Sequence, residues 1–274
     1  MGARRLRDDA RARSRSRPRL AGPDVTFVGD FHPAIGGGDD DGPVVTDSLH
    51  IHQAIAPARA VLFDFDFTLA DSSEGIVVCM NHALGRLGLP PAPADAIRMT
   101  IGLDLRTALG ILAGEEWRSR EDDFLEHFVR KADEVMVAST CFLPGAACVL
   151  RTLHDAGYRV GIVTTKYRHR VEDALERDSF RALVDVIVGA DDVPRPKPAP
   201  DGLLRAAGSL EIPTRDCVFV GDSEVDAMAA RAAGVPFVAV LSGTTGEEVF
   251  AGYPVRAVLA GVGEVVGEGN GPGM

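Results

Sequence analysis

Short, unbroken apolar runs recur along this chain with amphipathic stretches between them, and that alternation restricts the fold more than any other feature. Val61-Leu62-Phe63, Val160-Gly161-Ile162-Val163 and the runs near 184–189, 217–221 and 236–241 have strand length. They are apolar at successive positions rather than at alternate ones, as strands must be when both faces of a sheet are covered. Helical periodicity fills the gaps. Ala146, Val149, Leu150 and Leu153 fall at i, i+3, i+4 and i+7 of the segment 145–156, which Gly157 can end. Similar patterns predict helices over about 168–177, 199–209 and 224–233. The alternation predicts an α/β fold, a doubly wound parallel sheet with helices on both faces.

Residues 73–140 interrupt this order with helical patterns at Gly75–Leu87, Thr107–Leu112 and Asp122–Val137 and no convincing strand. An all-helical insert after the first strand would sit over the carboxyl ends of the strands, where open α/β sheets bind ligands, and would act as a lid. The expected organisation is a core of 59–72 with 141–262, a helical cap of 73–140, a flexible tail of 263–274, and an N-terminal extension of 1–58. That extension contains RRLRDDARARSRSRPRL and GGGDDDG, low-complexity tracts with too little apolar surface to offset the entropy of ordering. The arginine run reads as a disordered tail or as an organelle-targeting peptide. Asp8 and Asp9 favour the tail, because transit peptides are poor in acids. His50 and His52 offer metal-binding nitrogens, but histidines in a linker are usually solvated.

Charge narrows the partners. The 29 basic and 40 acidic residues give −11, and residues 1–20 hold eight Arg and two Asp, so everything after Leu20 carries −17. An acidic body lacks the cationic footprint that nucleic acid requires. No run approaches the ~18–20 apolar residues of a membrane span, and the start lacks the apolar stretch of a secretory signal. Cys79, Cys141, Cys148 and Cys217 show no close pairing and sit in apolar patterns, which predicts buried thiols in a reducing compartment. The expectation is a soluble, cytoplasmic protein, or an organellar one if the arginine run is a transit peptide.

Chemistry concentrates at the strand ends. In FDFDFTLADSS, 63–73, Asp64 and Asp66 stand two apart at the end of an apolar run, so both carboxylates point to one side. Like charges this close call for a cation or a shared proton. A calcium loop counted from Asp64 fails, because Leu69 falls where the sharp turn needs Gly and Gly75 where a bidentate Glu is needed. In VFVGDSEVD, 218–226, Gly221 permits a tight turn and Asp222 and Asp226 stand at i and i+4, on one face of a helix start. Both acidic clusters follow strands, so in a parallel sheet they open at the same edge and can meet around one hard cation. Thr164 and Thr165 in GIVTTK, and Lys197 between prolines in RPKPAP, add a hydroxyl and a held cation for an anion.

With those residues in that order, the chain from about Ala60 to Leu259 resembles the haloacid dehalogenase-like hydrolase superfamily. The matching motifs are Asp64-x-Asp66-x-Thr68, Thr164 after its strand, Lys197 in a K-P-x-P context, and Gly221-Asp222-Ser223-x-x-Asp226. The insert, FDFDFTLADSS and GIVTTK are similar to the phosphoglycolate phosphatase-like branch, except that Phe67 stands where a glycine is usual. The resemblance implies a phosphatase acting on a small phosphorylated metabolite. Asp64 would attack phosphorus to give an aspartyl-phosphate, and Asp66 would act as general acid and then base. Mg2+ would be held by Asp64, the Asp66 carbonyl and Asp222, with Asp226 orienting that site. Thr164 and Lys197 would hold the phosphoryl oxygens. Thr165, Lys166, Arg98 and Arg106 are candidates for contact with the rest of the substrate. A dehalogenase would need neither Asp66 nor Asp222. A phosphomutase, phosphonatase or pyrophosphatase would use the same core, and an inactive regulatory relative would bind without turnover.

Overall fold

The computed structural model describes residues 49–268. In chain order its elements begin with β1 (Leu49–Ile51), β2 (Ala60–Phe63) and β3 (Ala70–Asp71). The cap helices α1 (Ser73–Arg86), α2 (Ala94–Arg98), α3 (Leu105–Ala113) and α4 (Glu121–Val135) follow. Then come β4 (Cys141–Phe142), α5 (Ala146–Asp155), β5 (Arg159–Val163), α6 (Arg168–Arg177) and β6 (Val186–Val188). The chain continues through α7 (Asp201–Ser209), β7 (Cys217–Gly221), α8 (Glu224–Ala233) and β8 (Phe237–Val240), and closes with α9 (Glu247–Phe250), β9 (Val255–Leu259) and β10 (Val266–Glu268).

Six parallel strands form the main sheet in the order β6-β5-β2-β7-β8-β9. Every residue of β2 is buried, as its unbroken apolar run requires for a central strand covered on both faces. Val61 and Phe63 pack toward α5 and α6, whereas Ala60 and Leu62 pack toward α7 and α8. The chain runs outward from β2 to β5 and β6, then returns to β7 on the other side of β2. The direction of winding therefore reverses at β2, and the crevice at its carboxyl end is the place where such sheets bind ligands. The fold class is the one the sequence predicts.

The insert forms four helices around a core of its own, with Ile76, Met80, Leu84, Leu109, Phe124 and Phe128 buried together. At its two connections β3 pairs with β4, Ala70 opposite Phe142 and Asp71 opposite Cys141. Two expectations about the ends need correction. Leu49–Ile51 pairs antiparallel with Val266–Glu268, and Ala54, Ile55, Val265 and Val266 are buried in the main core. Residues 49–58 are therefore part of the folded body rather than of an extension, and 263–268 are not a loose tail. The remainder of both expectations, 1–48 and 269–274, lies outside the described residues. Cys141 and Cys148 are exposed, against the expectation of four buried thiols, because Cys141 sits on the two-stranded link and Cys148 on the outer side of α5. Among the described residues no helix is long and apolar enough to cross a membrane.

Candidate active site

The site grows from β2. Asp64, the residue after the strand, continues its ladder by donating its backbone N–H to Val220 O at 2.9 Å. The chain then turns sharply. Leu69 and Ala70 both donate to Phe65 O at 2.9 Å, and Phe67 donates back to Ala70 O at 2.6 Å. That turn gives Phe67 a φ of 59°, in the left-handed region where a side chain is disfavoured. The departure noted in the sequence thus falls where the backbone favours glycine, and Ser242 Oγ secures the turn by donating to Phe67 O at 2.5 Å.

Beside β2, β7 ends at Gly221, where an added Cβ would lie 2.7 Å from Asp226 Cγ; the helix start packs against bare backbone. Asp222 follows, buried, and accepts from Thr68 Oγ1 at 3.1 Å. Ser223 caps α8 in a reciprocal arrangement with Asp226. The Ser223 N–H and Oγ donate to Asp226 Oδ2 at 3.0 and 2.5 Å, and the Asp226 N–H donates to Ser223 Oγ at 3.3 Å. The other oxygen of Asp226 takes a hydrogen bond from Lys197 Nζ at 2.5 Å, and Lys197 lies 2.7 Å from Asp64 Oδ1. Both oxygens of Asp226 are therefore occupied in positioning Lys197 and the helix start.

The structure brings Asp64, Asp222 and Asp226 together, with one oxygen of each within 4.8 Å of the others. Three carboxylates against one lysine leave a formal −2 in a buried site. Burial, with help from Asp226 against the pull of Lys197, pushes the Asp64 carboxyl up to about 7. Burial also raises Asp222 well above the usual carboxylate range, with Asp226 and Asp64 adding repulsion. Burial alone would lower Lys197, but Asp226 and Asp64 outweigh it and hold the ammonium charged. Asp66 Oδ1 is buried without a hydrogen-bond donor, whereas Asp64 Oδ1 has the Lys197 ammonium 2.7 Å away. Three converging buried carboxylates with only one lysine to neutralise them fit a hard divalent cation.

Asp66 lines the space between sheet and cap, and its Oδ2 pairs with Lys166 Nζ at 3.1 Å. Thr164 is buried at the end of β5 and accepts the Lys166 N–H at 3.1 Å. Thr165 and Lys166 line the space between sheet and cap. The two cap arginines divide. Arg106 borders a cavity shared with Thr165 and Lys197, yet its guanidinium is paired with Glu121 and Asp122. Arg98 is held by Glu74 and Asp95 at 2.5 and 3.0 Å and borders neither of the cavities beside Asp66 and Lys197.

Three contributors escape a reading of the sequence alone. Gly243, after β8, lies so close to Asp222 that a Cβ would enter its carboxylate; the only signal is its place beyond a strand. Arg170 on α6 is buried and reaches the cap, donating to Asp133 Oδ1 at 2.7 Å and to Val129 O at 3.1 Å. Tyr167 lies beneath that guanidinium, 4.9 Å from ring centroid to Cζ.

Acids, a lysine and a hydroxyl gathered at the switch point of a parallel sheet define an α/β enzyme that works on an anion. The sequence model of the haloacid dehalogenase-like hydrolases matches residues 61–240. The chain belongs to that family, in its phosphoglycolate phosphatase-like branch, and is a phosphatase-type hydrolase. It is 32% identical over 185 residues to a phosphoglycolate phosphatase of Xanthomonas campestris pv. campestris, covering 68% of this chain and 84% of that one. It is 35% identical to a phosphoglycolate phosphatase of Cereibacter sphaeroides, covering 67% and 85%. A crystal structure of a Bacteroides fragilis haloacid dehalogenase-like hydrolase superposes with a TM-score of 0.73 at 38% identity, over 76% of this chain and 99% of that one.

Proposed function

We propose that this enzyme is a magnesium-dependent phosphatase that hydrolyses a small phosphomonoester through an aspartyl-phosphate on Asp64. One observation carries the reading: three buried carboxylates converge with a single lysine at the end of the central strand. The relatives named phosphoglycolate phosphatase support a small phosphorylated metabolite as the substrate.

Asp64 attacks phosphorus in line, the ester bond breaks, and the alkoxide leaves; one hard displacement becomes two easier ones. Asp66, two residues on, gives the departing oxygen its proton and later takes a proton from the water that cleaves the acyl phosphate. Lys197, held by Asp226 and Asp64, stays charged and faces the phosphoryl oxygens, and Thr164 supplies a hydroxyl to them. Asp64, Asp222 and the Asp66 carbonyl would hold magnesium, which supplies neutralising charge between nucleophile and phosphate. Asp226 acts as a positioning residue, because both its oxygens are already taken. The cap serves as the lid that excludes water during transfer.

The test is phosphate release, with magnesium, from phosphoglycolate, sugar phosphates, nucleotides and pyrophosphate. The wild type should release phosphate from at least one small ester, and Asp64→Asn should fall to background while keeping its melting transition, because an amide cannot form the acyl phosphate. Equal release by both proteins would remove Asp64 from the mechanism.

A further inference from the structure

Two cavities lie between cap and core, and they differ greatly in size. The smaller, about 70 Å³, reaches Asp66 and is walled largely by apolar cap side chains such as Ile76, Met80 and Phe128. The larger, about 430 Å³, lies beside Lys197 and its flanking prolines. Pockets that take drug-sized ligands run to roughly 300–1,000 Å³, so the first is far below that range and the second is within it. Three side chains line both: Leu105, Thr165 and Tyr167. They are the wall between the two.

Neither side of that wall is loose. Leu105 opens α3 directly after Asp104, whose carboxylate accepts the N–H groups of Arg106 and Thr107 at 3.1 and 3.0 Å and so fixes the helix start. On the core side, the Tyr167 ring rests against the Arg170 guanidinium, which is itself tied to Asp133 and Val129 O of α4. The two faces are thus set by a capped helix end and a clamped ring.

We propose that Leu105 and Tyr167 determine the size of the leaving group. This rests on the reading that Asp66 protonates the departing oxygen, since the alcohol must then lie within hydrogen-bond reach of Asp66, in the smaller chamber. With the wall in place the enzyme takes a phosphomonoester whose alcohol has few heavy atoms and rejects one carrying a ring. Removing either side chain joins the chambers and admits the ring.

Binding and turnover test this separately. Calorimetry with magnesium present measures methylphosphonate and phenylphosphonate as compact and ring-bearing probes, on wild type, Leu105→Ala and Tyr167→Ala. Wild type should prefer the compact probe by at least about tenfold, and either variant should narrow that ratio to about threefold or less. The ratio of kcat/KM for a two-carbon ester over a hexose phosphate should move the same way. Absence of any size preference in wild type overturns the proposal, as does its persistence in a variant that keeps its melting transition. If the preference in binding is present and responds to the variants while no ester is hydrolysed, the wall stands and the phosphatase reading falls. If esters are hydrolysed with a size ratio that the variants leave unchanged, the reverse holds.

Discussion

At the scale of single residues, the room left around each carboxylate and the depth of its burial decide what a substitution in the site does. Gly243 leaves room for the Asp222 carboxylate. Gly243→Ala should displace that carboxylate and weaken magnesium binding by about 10–100-fold, the usual effect of disturbing a ligand's support, measurable by calorimetry. Asp64 carries a proton-linked prediction. Its carboxyl is raised in the folded state to about 7 from 3.8, so between those values the metal-free fold holds a proton that the unfolded chain has released. Its contribution to stability is therefore present at low pH and is lost as pH rises through that window. In chelator, Asp64→Asn should gain melting temperature over wild type as pH goes from 5 to 8, and magnesium should erase the gain. An advantage independent of pH would mean that Asp64 is not raised. These roles were unevenly legible. Asp64, Asp66 and Asp222 stand out because a hydrophobic strand has no structural use for acids at its end. Gly243 does not stand out, because its function is an absence of atoms opposite a residue 21 positions earlier.

At the scale of elements, buried strands announce themselves and half-exposed ones do not. β2, β5, β7 and β8 are apolar at nearly every position because helices cover both their faces. β9, at the sheet edge, is only partly buried, and Arg256 breaks its apolar residues near the start and leaves a run dominated by small Ala257 and Ala260 around Val258 and Leu259. It escapes a reading based on bulky apolar runs. The link of β3 with β4 is invisible for another reason: pairs of two residues, far apart in sequence, carry no pattern. The contact of α6 with the cap is likewise long-range. Arg170 is buried and Asp133 is half-exposed, so Asp133→Ala leaves a buried guanidinium with Val129 O as its remaining cap partner. Hydrogen exchange in α4 should then quicken while exchange in β2 and β7 stays as in wild type. Unchanged α4 protection would show that the cap is held by its other contacts alone.

At the scale of the whole molecule, the folded body begins earlier than the motifs do. Composition marks 1–58 as a single stretch, but Ile55 is fully buried, and Ala54 O and Ala56 O accept hydrogen bonds from Arg256 and Tyr158. Low-complexity tracts upstream mask a segment that folds only because residues more than 200 positions later receive it. Burial of an isoleucine contributes about 1.5–3 kcal/mol. A chain starting at Ala56 should therefore melt roughly 4–10 °C below one starting at Thr46; equal melting would make the β1 and β10 pair dispensable. That pair has one more consequence. Since Leu49–Ile51 lies alongside Val266–Glu268, the first and last strands of the body are neighbours, and its backbone is nearly a closed ring. A short linker could join residue 268 to residue 49, with new ends opened at the exposed turn around Gly157, and the rearranged polypeptide should still assemble the same crevice.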